Sequence, residues 1–478
     1  MSVVQGVKAV MTGIERVASF LSKKRKTFGQ VNSAVAAATI SSGPNLHKAK
    51  QAINRSELSE IEVLPEYLHV KEMIDSSFPM IFVTGGAGTG KSTFIKWLDN
   101  EFRGQTLICA PTGIAALTVS GKTIHSLCRF PPSWIVNGDI KPHPKSLAKH
   151  AKILIIDEIS MVNANVLDSM NKFFQINRGN SKPFGGLSVV MVGDLFQLPP
   201  IVTSTTRPLF EANYKSPKFF SANSITESEF VAVELTKAFR QVDQTFVDLL
   251  ANIREGKYVN ESLDSLNKSC RVIKDAEVGT ISLSPRNDEV ERINRDQLAK
   301  LSGVVRRYNG QTSGQFNDKQ LPVPNEIDLK VGAQVMLAKN IKPYVNGDIA
   351  VVTQLHEDRV QVRFAKSNEV VEIPVVAWDQ FDYRFNEEEK EIERIVVGSY
   401  RQIPLVLAWA ITIHRSQGLT LEKVHLDLGK GSFETGQTYV ALSRCRSLET
   451  LSLARPVRSE DIRIDPQASA FYSQIREE

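Results

Sequence analysis

Four short apolar runs in the first half of the chain predict buried β-strands. They cover residues 80–83, 106–109, 153–156 and 189–192. Each run is apolar at nearly every position, which is typical of strands covered on both faces of a parallel sheet. Helical patterns separate the runs, so the pattern predicts an α/β domain built on a mostly parallel sheet.

A second series of alternating segments starts near Val231 and predicts another α/β domain. Its apolar segments include residues 281–283, 405–408 and 424–426. The change between the two series places a domain boundary near residue 225. The expected organisation is an N-terminal extension over residues 1–56, a first domain over 57–225 and a second domain over 226–478.

Two insertions interrupt this pattern. Between about residues 128 and 146 the chain is rich in proline, which predicts a small surface insertion in the first domain. From about residue 304 to residue 402, short β-type segments separated by turn signals such as Asn346-Gly347 replace the α/β pattern. This second stretch predicts a small antiparallel β-barrel inserted in the second domain.

The basic residues are concentrated at the N-terminus. The net charge of the 478-residue chain is +5, whereas residues 1–56 carry nine Lys or Arg against one acid, Glu15. The rest of the chain is therefore slightly acidic. We expect a flexible basic extension, for which three interpretations stay open: non-specific attraction to nucleic acid, a solvated tail, and a targeting segment.

Composition argues against a membrane protein and against a disulfide-rich secreted one. The longest apolar stretch, residues 405–413, is far shorter than the roughly 20 residues that span a bilayer. The four cysteines, Cys109, Cys128, Cys270 and Cys445, are too scattered for a metal site or a disulfide framework. We expect an intracellular protein, cytoplasmic and nucleoid-associated in a bacterium, or nuclear or mitochondrial in a eukaryote.

The segment after the first apolar run matches the phosphate-binding pattern G-x-x-x-x-G-K-[ST]. Its glycines let backbone N–H groups turn toward phosphate oxygens, Lys91 supplies a charge for the outer phosphates, and the Ser92 hydroxyl is placed to bind Mg²⁺. The expected nucleotide-binding residues are Gly85, Gly86, Ala87, Gly88, Thr89, Gly90, Lys91, Ser92 and Thr93.

Two later strand ends supply side chains for nucleotide hydrolysis. Asp157 and Glu158 follow the third apolar run, where ligands of open α/β sheets collect. Asp157 is expected to hold Mg²⁺, and Glu158 to take a proton from the attacking water. Gln197 follows the fourth run and is a candidate sensor of the γ-phosphate.

The order of these and later motifs resembles the PIF-type branch of superfamily-one helicases. The matching segments are residues 85–92, 110–116, 123–126, 157–162, 193–200, 238–241, 408–418 and 439–444. Residues 329–347 also resemble the start of that family's inserted SH3-like barrel. The resemblance covers roughly residues 78–453 and implies two RecA-like domains with ATP and Mg²⁺ in the cleft between them.

The same resemblance implies roles for individual residues. Arg240 and Arg444 resemble the family's arginine fingers, and Gln417 and Gly418 lie in the motif that links the nucleotide to the DNA strand. Guanidinium groups suit a transition state with charge spread over phosphate oxygens. The implied contacts with the DNA backbone are Pro111, Thr112, Thr123, His125, His414 and Ser416.

A helicase that moves 5′ to 3′ on single-stranded DNA is the leading interpretation. The resemblance implies a monomer that acts on DNA forks, with RNA–DNA hybrids and quadruplexes as further substrates, in replication, repair, recombination or telomere maintenance. A protein-remodelling ATPase, a non-catalytic DNA-binding module, an RNA track and an auxiliary recombination subunit are the alternatives.

Two points about the site stay open. The glutamine that reads adenine in relatives is not found in residues 66–72. Residues 130–134 have two interpretations: they split the duplex, or they pack on their own domain.

Overall fold

The computed structural model describes residues 61–142, 147–241, 243–316, 321–386, 388 and 391–477. The expected basic extension over residues 1–56 lies outside the described residues. Residues 63–478 form one compact unit. Within the described part, no helix is long and apolar enough to cross a membrane, and no cluster of three His, Cys, Asp or Glu side chains suits a metal ion.

The first sheet has six parallel strands in the order β3-β2-β4-β5-β1-β6. The four strands expected from the apolar runs are present, and all of their residues are buried. The strands are β1 (Met80–Gly85), β2 (Thr106–Ala110), β3 (Lys122–Thr123), β4 (Ile153–Ile156), β5 (Ser188–Gly193) and β6 (Phe230–Leu235).

Helices cover this sheet and connect its strands. In the longest of them, α5, Asn163 caps the first turn by accepting a hydrogen bond from the Val166 amide at 2.9 Å. Gly179 ends the helix in the left-handed conformation at φ 62°. The helices of this part are α1 (Pro65–Asp75), α2 (Lys91–Glu101), α3 (Gly113–Thr118), α4 (Ile124–Cys128), α5 (Ala164–Arg178), α6 (Arg207–Asn213) and α7 (Asn223–Thr226).

The first sheet extends past the boundary expected near residue 225. Strand β6 was expected to open the second domain, but it pairs in parallel with β1, with Ile81 opposite Val231. It is an edge strand that is only half-buried, and therefore its apolar pattern is weaker than that of the central strands. The expected boundary was thus too early in the chain.

After β6, two helices and two strands lead into the second domain. They are α8 (Gln244–Glu255), α9 (Val259–Ser269), β7 (Arg271–Val272) and β8 (Ile281–Ser284), followed by α10 (Asn287–Lys300). The inserted β-structure begins after α10, close to the expected residue 304. Its strands are β9 (Arg306–Asn309), β10 (Gln311–Gly314), β11 (Glu326–Leu329), β12 (Gln334–Leu337), β13 (Ile349–Leu355), β14 (Arg359–Phe364), β15 (Val370–Pro374), β16 (Val376–Asn386), β17 (Glu391–Gln402) and β18 (Leu405–Leu407).

The inserted strands form small antiparallel sheets, as expected from their turn signals. A five-stranded sheet has the order β15-β14-β13-β12-β18, and β16 and β17 form a long hairpin with β10 at its side. Residues 405–407 were expected in the parallel sheet of the second domain. They instead pair antiparallel with β12, because an apolar run does not reveal which partner it will have.

The chain then returns to the second domain and completes its parallel sheet. The remaining elements are β19 (Ala410–Thr412), β20 (Val424–Leu426), α11 (Gln437–Leu442), β21 (Leu451–Leu453) and α12 (Pro466–Glu477). This sheet has five parallel strands in the order β19-β8-β20-β21-β7. Helix α12 packs back on the first domain, where Phe471 stacks on Phe220 with ring centroids 4.5 Å apart and lies 5.8 Å from the ring of Phe230 in β6.

The proline-rich insertion of the first domain packs mainly on its own domain. Phe130 is buried edge-on against Phe173, and Trp134 lies edge-on against Phe210. The backbone of Ile135 is held by both groups of the Asn165 amide at 3.0 Å. Residues 130–134 were expected either to split the duplex or to pack on their own domain. In this structure their aromatic rings pack on the domain.

The hairpin of β16 and β17 contacts the first domain at the edge of β2. The Tyr383 hydroxyl donates to the Ile108 carbonyl and accepts from the Ile108 amide, each at 3.0 Å. Arg394, opposite Tyr383 in the hairpin, pairs with Asp99 at 2.9 Å, and Lys122 pairs with Asp382 at 2.8 Å. The Tyr383 hydroxyl is thus the hydrogen-bond partner of the amide and carbonyl of Ile108, two backbone groups that the short strand β3 does not pair.

We predict that Tyr383→Phe destabilises the protein by about 1 to 3 kcal/mol, because two buried backbone groups lose their partner. Urea unfolding followed by circular dichroism measures the change. Tyr308→Phe is the control, since the Tyr308 hydroxyl donates to the His356 carbonyl within the inserted region. An equal or smaller effect of Tyr383→Phe would show that the hairpin contact contributes little.

Candidate nucleotide and nucleic-acid site

The loop between β1 and α2 has the geometry of a phosphate-binding loop. Gly88 and Gly90 both adopt φ 85°, a conformation that side chains rarely allow, and Gly90 directly precedes α2. The Lys91 ammonium donates to the carbonyls of Gly85 and Gly86 at 2.8 and 2.9 Å. Burial lowers the pKa of Lys91, an effect opposed by nearby Asp194 and Glu158.

Asp157 and Glu158 follow β4 and lie close to this loop. Asp157 is buried and accepts a hydrogen bond from the Glu158 amide at 2.9 Å. Burial, together with the charge of Glu158, raises the pKa of Asp157 to about 7. Burial also raises the pKa of Glu158, although Lys91 and Arg444 favour its charged form.

Gln417, a residue of the second domain, contacts the Glu158 side chain of the first domain. Its amide nitrogen donates to Glu158 at 3.1 Å and to the Gln197 side-chain oxygen at 3.4 Å. Gln197 in turn donates to Asp194 at 3.2 Å. The structure therefore brings the predicted base, the predicted sensor and the predicted linking glutamine into one hydrogen-bonded chain.

Asp194 is a central residue of the site that sequence reasoning passed over. Its carboxylate is fully buried and pairs with the Arg254 guanidinium at 3.0 Å. Burial disfavours the charge on Asp194, but Arg254 and Lys91 outweigh it and lower its pKa. Asp194 lies in the segment over residues 193–200, in which the sequence pattern pointed only to Gln197. Its partner Arg254 lies in α8, where no sequence motif marks it.

Tyr439 is a second residue that sequence reasoning did not assign. It belongs to α11, and its hydroxyl accepts from the Ala87 amide at 2.8 Å and donates to Asp194 at 3.1 Å. Nearby, a Cβ atom at Gly436 would lie 2.4 Å from the Phe196 carbonyl. The second domain therefore contacts the phosphate loop directly. The motif over residues 439–444, which includes Tyr439, is the sequence feature that could have indicated this contact.

The two predicted arginine fingers lie beside each other on the second domain's side of the site. Arg444 is fully buried and donates to the Val440 carbonyl at 2.8 Å and to the Ser443 hydroxyl at 2.7 Å. Arg240 donates to the Ser443 carbonyl at 3.0 Å and to the Thr420 hydroxyl at 2.9 Å. Burial, followed by the charge of Arg240, lowers the pKa of Arg444 to about 9.

The predicted DNA contacts of the first domain lie at or just after the ends of β2 and β3. Thr112 caps α3 by accepting from the Ala115 amide, and Thr123 caps α4 by accepting from the Ser126 amide, each at 3.2 Å. Pro111 and His125 are half-buried. A cavity of about 90 Å³ lies beside Thr123, and it is lined by Gly113, Ala116, Leu117, Gly121, Lys122, Thr123, Ser126, Phe316, Gln380 and Phe381.

The two predicted DNA contacts of the second domain differ in their surroundings. His414 is exposed after β19, whereas Ser416 is fully buried. The Ser416 hydroxyl donates to the Ile413 carbonyl at 2.7 Å. Its side chain therefore closes a turn of the backbone, and the expected contact of this hydroxyl with DNA does not fit its position. Gly418, at φ 79°, lies in the turn that follows, where the Leu419 amide donates to the Ser416 carbonyl at 3.0 Å.

These features define the class of the protein: a P-loop protein in which a second parallel-sheet domain completes the nucleotide site. The family model "PIF1-like helicase" matches residues 66–264. A human "ATP-dependent DNA helicase PIF1" is 35% identical over 414 residues, which cover 83% of this chain and 61% of the human one. A Bdellovibrio bacteriovorus "ATP-dependent DNA helicase Pif1" is 31% identical, with coverage of 87% and 93%.

Solved structures of a Bacteroides Pif1 agree. The structure described as a complex with ADP-AlF4 has a TM-score of 0.80 at 34% identity and covers 87% of this chain and 98% of that one. The structure with ADP-AlF3 and ssDNA has a TM-score of 0.64 at the same identity and coverage. The chain belongs to the PIF1-like helicase family. It spans about 61% of the length of the human relative.

We predict that Asp157→Asn stabilises the nucleotide-free and metal-free protein at pH 8 by up to about 4 kcal/mol, the free energy of a shift of about three pKa units. A carboxyl with a raised folded pKa costs stability that grows as the pH rises from about 4, its unfolded pKa, to its folded pKa of about 7. The gain from Asn is therefore smaller at pH 5 than at pH 8.

Thermal unfolding at both pH values, with chelator present, measures this effect. Asp264→Asn, which changes an exposed carboxyl of α9, is the matched control. A gain from Asp157→Asn that is equal at the two pH values would contradict the assignment of the raised pKa to Asp157.

Proposed function

We propose that the chain is an ATP-dependent DNA helicase that moves 5′ to 3′ along single-stranded DNA and unwinds duplexes ahead of it. The observation that carries the proposal is the composite site. Gln417 and Tyr439 of the second domain bond to Glu158 and to the phosphate loop, and Arg240 and Arg444 meet beside them at Ser443. A site completed by two domains lets nucleotide hydrolysis change the distance between them. The names of the human and Bdellovibrio relatives support the same activity.

The site residues have different roles in ATP hydrolysis. Lys91, which bonds to loop carbonyls in this structure, turns to the outer phosphates when ATP binds. Glu158 accepts the proton of the attacking water, and burial, which raises its pKa, makes it a stronger base for that role. Gln197 and Gln417, already in contact with each other, orient the water against the γ-phosphate.

Mg²⁺ fits the remaining oxygen ligands. The Ser92 hydroxyl is exposed at the N-terminus of α2, and the buried Asp157 carboxylate is held by one backbone amide. A divalent cation would favour the charged form of Asp157 and so oppose the cost of its burial. When bound, the ion neutralises charge on the β- and γ-phosphates.

The single-stranded DNA lies across the carboxyl ends of both parallel sheets in this proposal. Pro111, Thr112, Thr123 and His125 contact its backbone from the first domain, and His414 contacts it from the second. Contacts to sugar and phosphate carry no base information, so binding is independent of sequence. His414 is three residues from Gln417, which links the strand to the nucleotide through one short turn.

Unwinding of tailed duplexes tests the proposal. We expect ATP-dependent strand separation from a duplex with a 5′ single-stranded tail and little from the same duplex with a 3′ tail. Lys91→Ala should abolish ATPase and unwinding but keep DNA affinity, while Lys96→Ala, an exposed lysine of the same helix, should keep all three. ATPase without stimulation by single-stranded DNA would overturn the helicase assignment, and unwinding from the 3′ tail alone would reverse the polarity.

We predict that Arg444→Ala lowers kcat for DNA-stimulated ATPase about 10³-fold, because the arginine stabilises charge that develops only in the transition state. The affinity for ADP should change little, whereas tight binding of ADP with aluminium fluoride should be lost. Since Arg444 is fully buried, Arg444→Lys serves as the conservative variant: it keeps the charge but not the fork of donors. Full activity of the Lys variant would show that the fork geometry is not required.

A further inference from the structure

The guanidinium of Arg240 is a half-buried charge that neutral oxygens hold beside the phosphate loop. A Cβ atom at Gly88 of that loop would lie 2.6 Å from the Arg240 Cβ atom. Burial lowers the pKa of Arg240, and the oxygens of Thr420 and Ser443 that it bonds are uncharged. The cost of burying this charge is therefore met in full only when an anionic ligand comes to it.

Two hydrogen bonds fix the plane of this guanidinium. Its Nε donates to the Thr420 Oγ1 at 2.9 Å, and its Nη1 donates to the Ser443 carbonyl at 3.0 Å. Because Nε and Nη1 lie on different edges of a planar group, the two bonds together set its position and its tilt. The Ser443 acceptor is a backbone carbonyl, which no substitution removes. The Thr420 hydroxyl is a side-chain group and can be removed.

Thr420 belongs to a turn that also holds the second predicted finger. This turn covers residues 416–421 and lies between β19 and β20. The Leu419 carbonyl accepts from the Arg444 Nη1 at 3.3 Å, and the Leu421 amide donates to the Arg444 carbonyl at 3.0 Å. The backbone on each side of Thr420 is therefore fixed, and its hydroxyl is presented to Arg240 from a defined position.

The inserted β-structure packs on the other side of the same turn. Gly347, just before β13, has φ 102°, and a Cβ atom there would lie 3.0 Å from the Thr420 carbonyl oxygen. The Asp348 carboxylate closes the Gly347 segment by accepting from the Val345 amide at 2.8 Å. A closed turn of the inserted region thus lies directly against the residue that holds Arg240.

We propose that Thr420 is the positioning residue of Arg240: its hydroxyl aims the guanidinium at the transferring phosphoryl group, and the turn at Gly347 keeps Thr420 in place. This inference rests on the proposed function, in which Arg240 is an arginine finger. Without the hydroxyl, Nε loses its acceptor and the guanidinium can adopt other orientations. A finger acts on charge that develops in the transition state, so its misplacement lowers kcat and leaves the binding of ATP nearly unchanged.

Steady-state ATPase with saturating single-stranded DNA tests the proposal. Thr420→Val should lower kcat about 30-fold, the loss of one hydrogen bond to a charged group, and leave KM for ATP within about twofold. Thr420→Ser, which keeps the hydroxyl, should restore kcat to within about threefold of the wild type. A wild-type kcat in Thr420→Val, or a serine variant as slow as the valine variant, would overturn the proposal.

The matched control is Thr450→Val. Thr450 is a half-buried threonine of the same domain, and its hydroxyl donates to the Ser447 carbonyl at 2.9 Å, away from both arginines. This variant loses a hydrogen bond of the same kind and should keep the kcat and the KM of the wild type. A loss of kcat equal to that of Thr420→Val would show that kcat reports general destabilisation, and would overturn the proposal.

A double-mutant cycle separates positioning of Arg240 from damage to the turn. Arg240→Ala should lower kcat about 10³-fold. In that background Thr420→Val should add less than about twofold, because the hydroxyl then has no guanidinium to hold. A further 30-fold loss in the double variant would overturn the proposal, since Thr420 would then act through another group.

Gly347→Ala tests the part that the inserted turn plays. The added Cβ atom should displace the Thr420 carbonyl and lower kcat severalfold, with KM for ATP unchanged and little further loss on adding Thr420→Val. Gly279→Ala is the control for backbone strain, because Gly279 has φ 81° but no atom within 4 Å of an added Cβ. A wild-type kcat in Gly347→Ala, or an equal loss in the two glycine variants, would overturn the role of the inserted turn.

The outcomes also distinguish this inference from the proposed function. A wild-type protein without DNA-stimulated ATPase would remove the proposed function and this inference with it. A wild-type protein that hydrolyses ATP on DNA, and whose Thr420→Val variant keeps its kcat, would remove only the positioning role.

Discussion

The nucleotide site depends on one buried charge, the carboxylate of Asp194. A fully buried carboxylate is costly unless it is paired and hydrogen-bonded, and Asp194 has both kinds of partner. The Arg254 guanidinium lies against the rings of Phe196 and Tyr472, 4.8 and 4.9 Å from their centroids. The strand end of β5, helix α8 and helix α12 are therefore held together around the ion pair of Asp194 and Arg254.

The same carboxylate connects the two sheets. Asp194 accepts from Tyr439, and Tyr439 accepts from the amide of Ala87 in the phosphate loop. Any movement of α11 away from the first domain must therefore break a hydrogen bond to a buried charge or to the loop that binds phosphate. Arg444 lies two residues after the end of α11, and so the position of the predicted finger is tied to the same contact.

Much of the site was predictable because its chemistry is local in sequence. The phosphate loop, the pair after β4 and Gln197 all follow strands whose continuous apolar runs mark them as central and buried. Strand β6 was misplaced because an edge strand keeps a mixed pattern, and residues 405–407 were misplaced because apolarity does not specify a partner. Arg254 and Tyr383 had no signal, since each acts on a residue that is 60 or more positions away.

The hairpin contact shows why such long-range pairs matter for the DNA side of the molecule. Tyr383 binds the backbone of Ile108 in β2, and the same strand ends at Ala110, immediately before Pro111 and Thr112. Gly121 lets the chain pass close to Ile108, because a Cβ atom at position 121 would lie 2.6 Å from the Ile108 carbonyl oxygen. The inserted strands therefore set the position of the segment that is proposed to hold the DNA backbone, although they belong to the other half of the chain. A change in the hairpin would reach the proposed DNA contacts through β2 without touching the nucleotide residues, which makes these two sites separable by mutation.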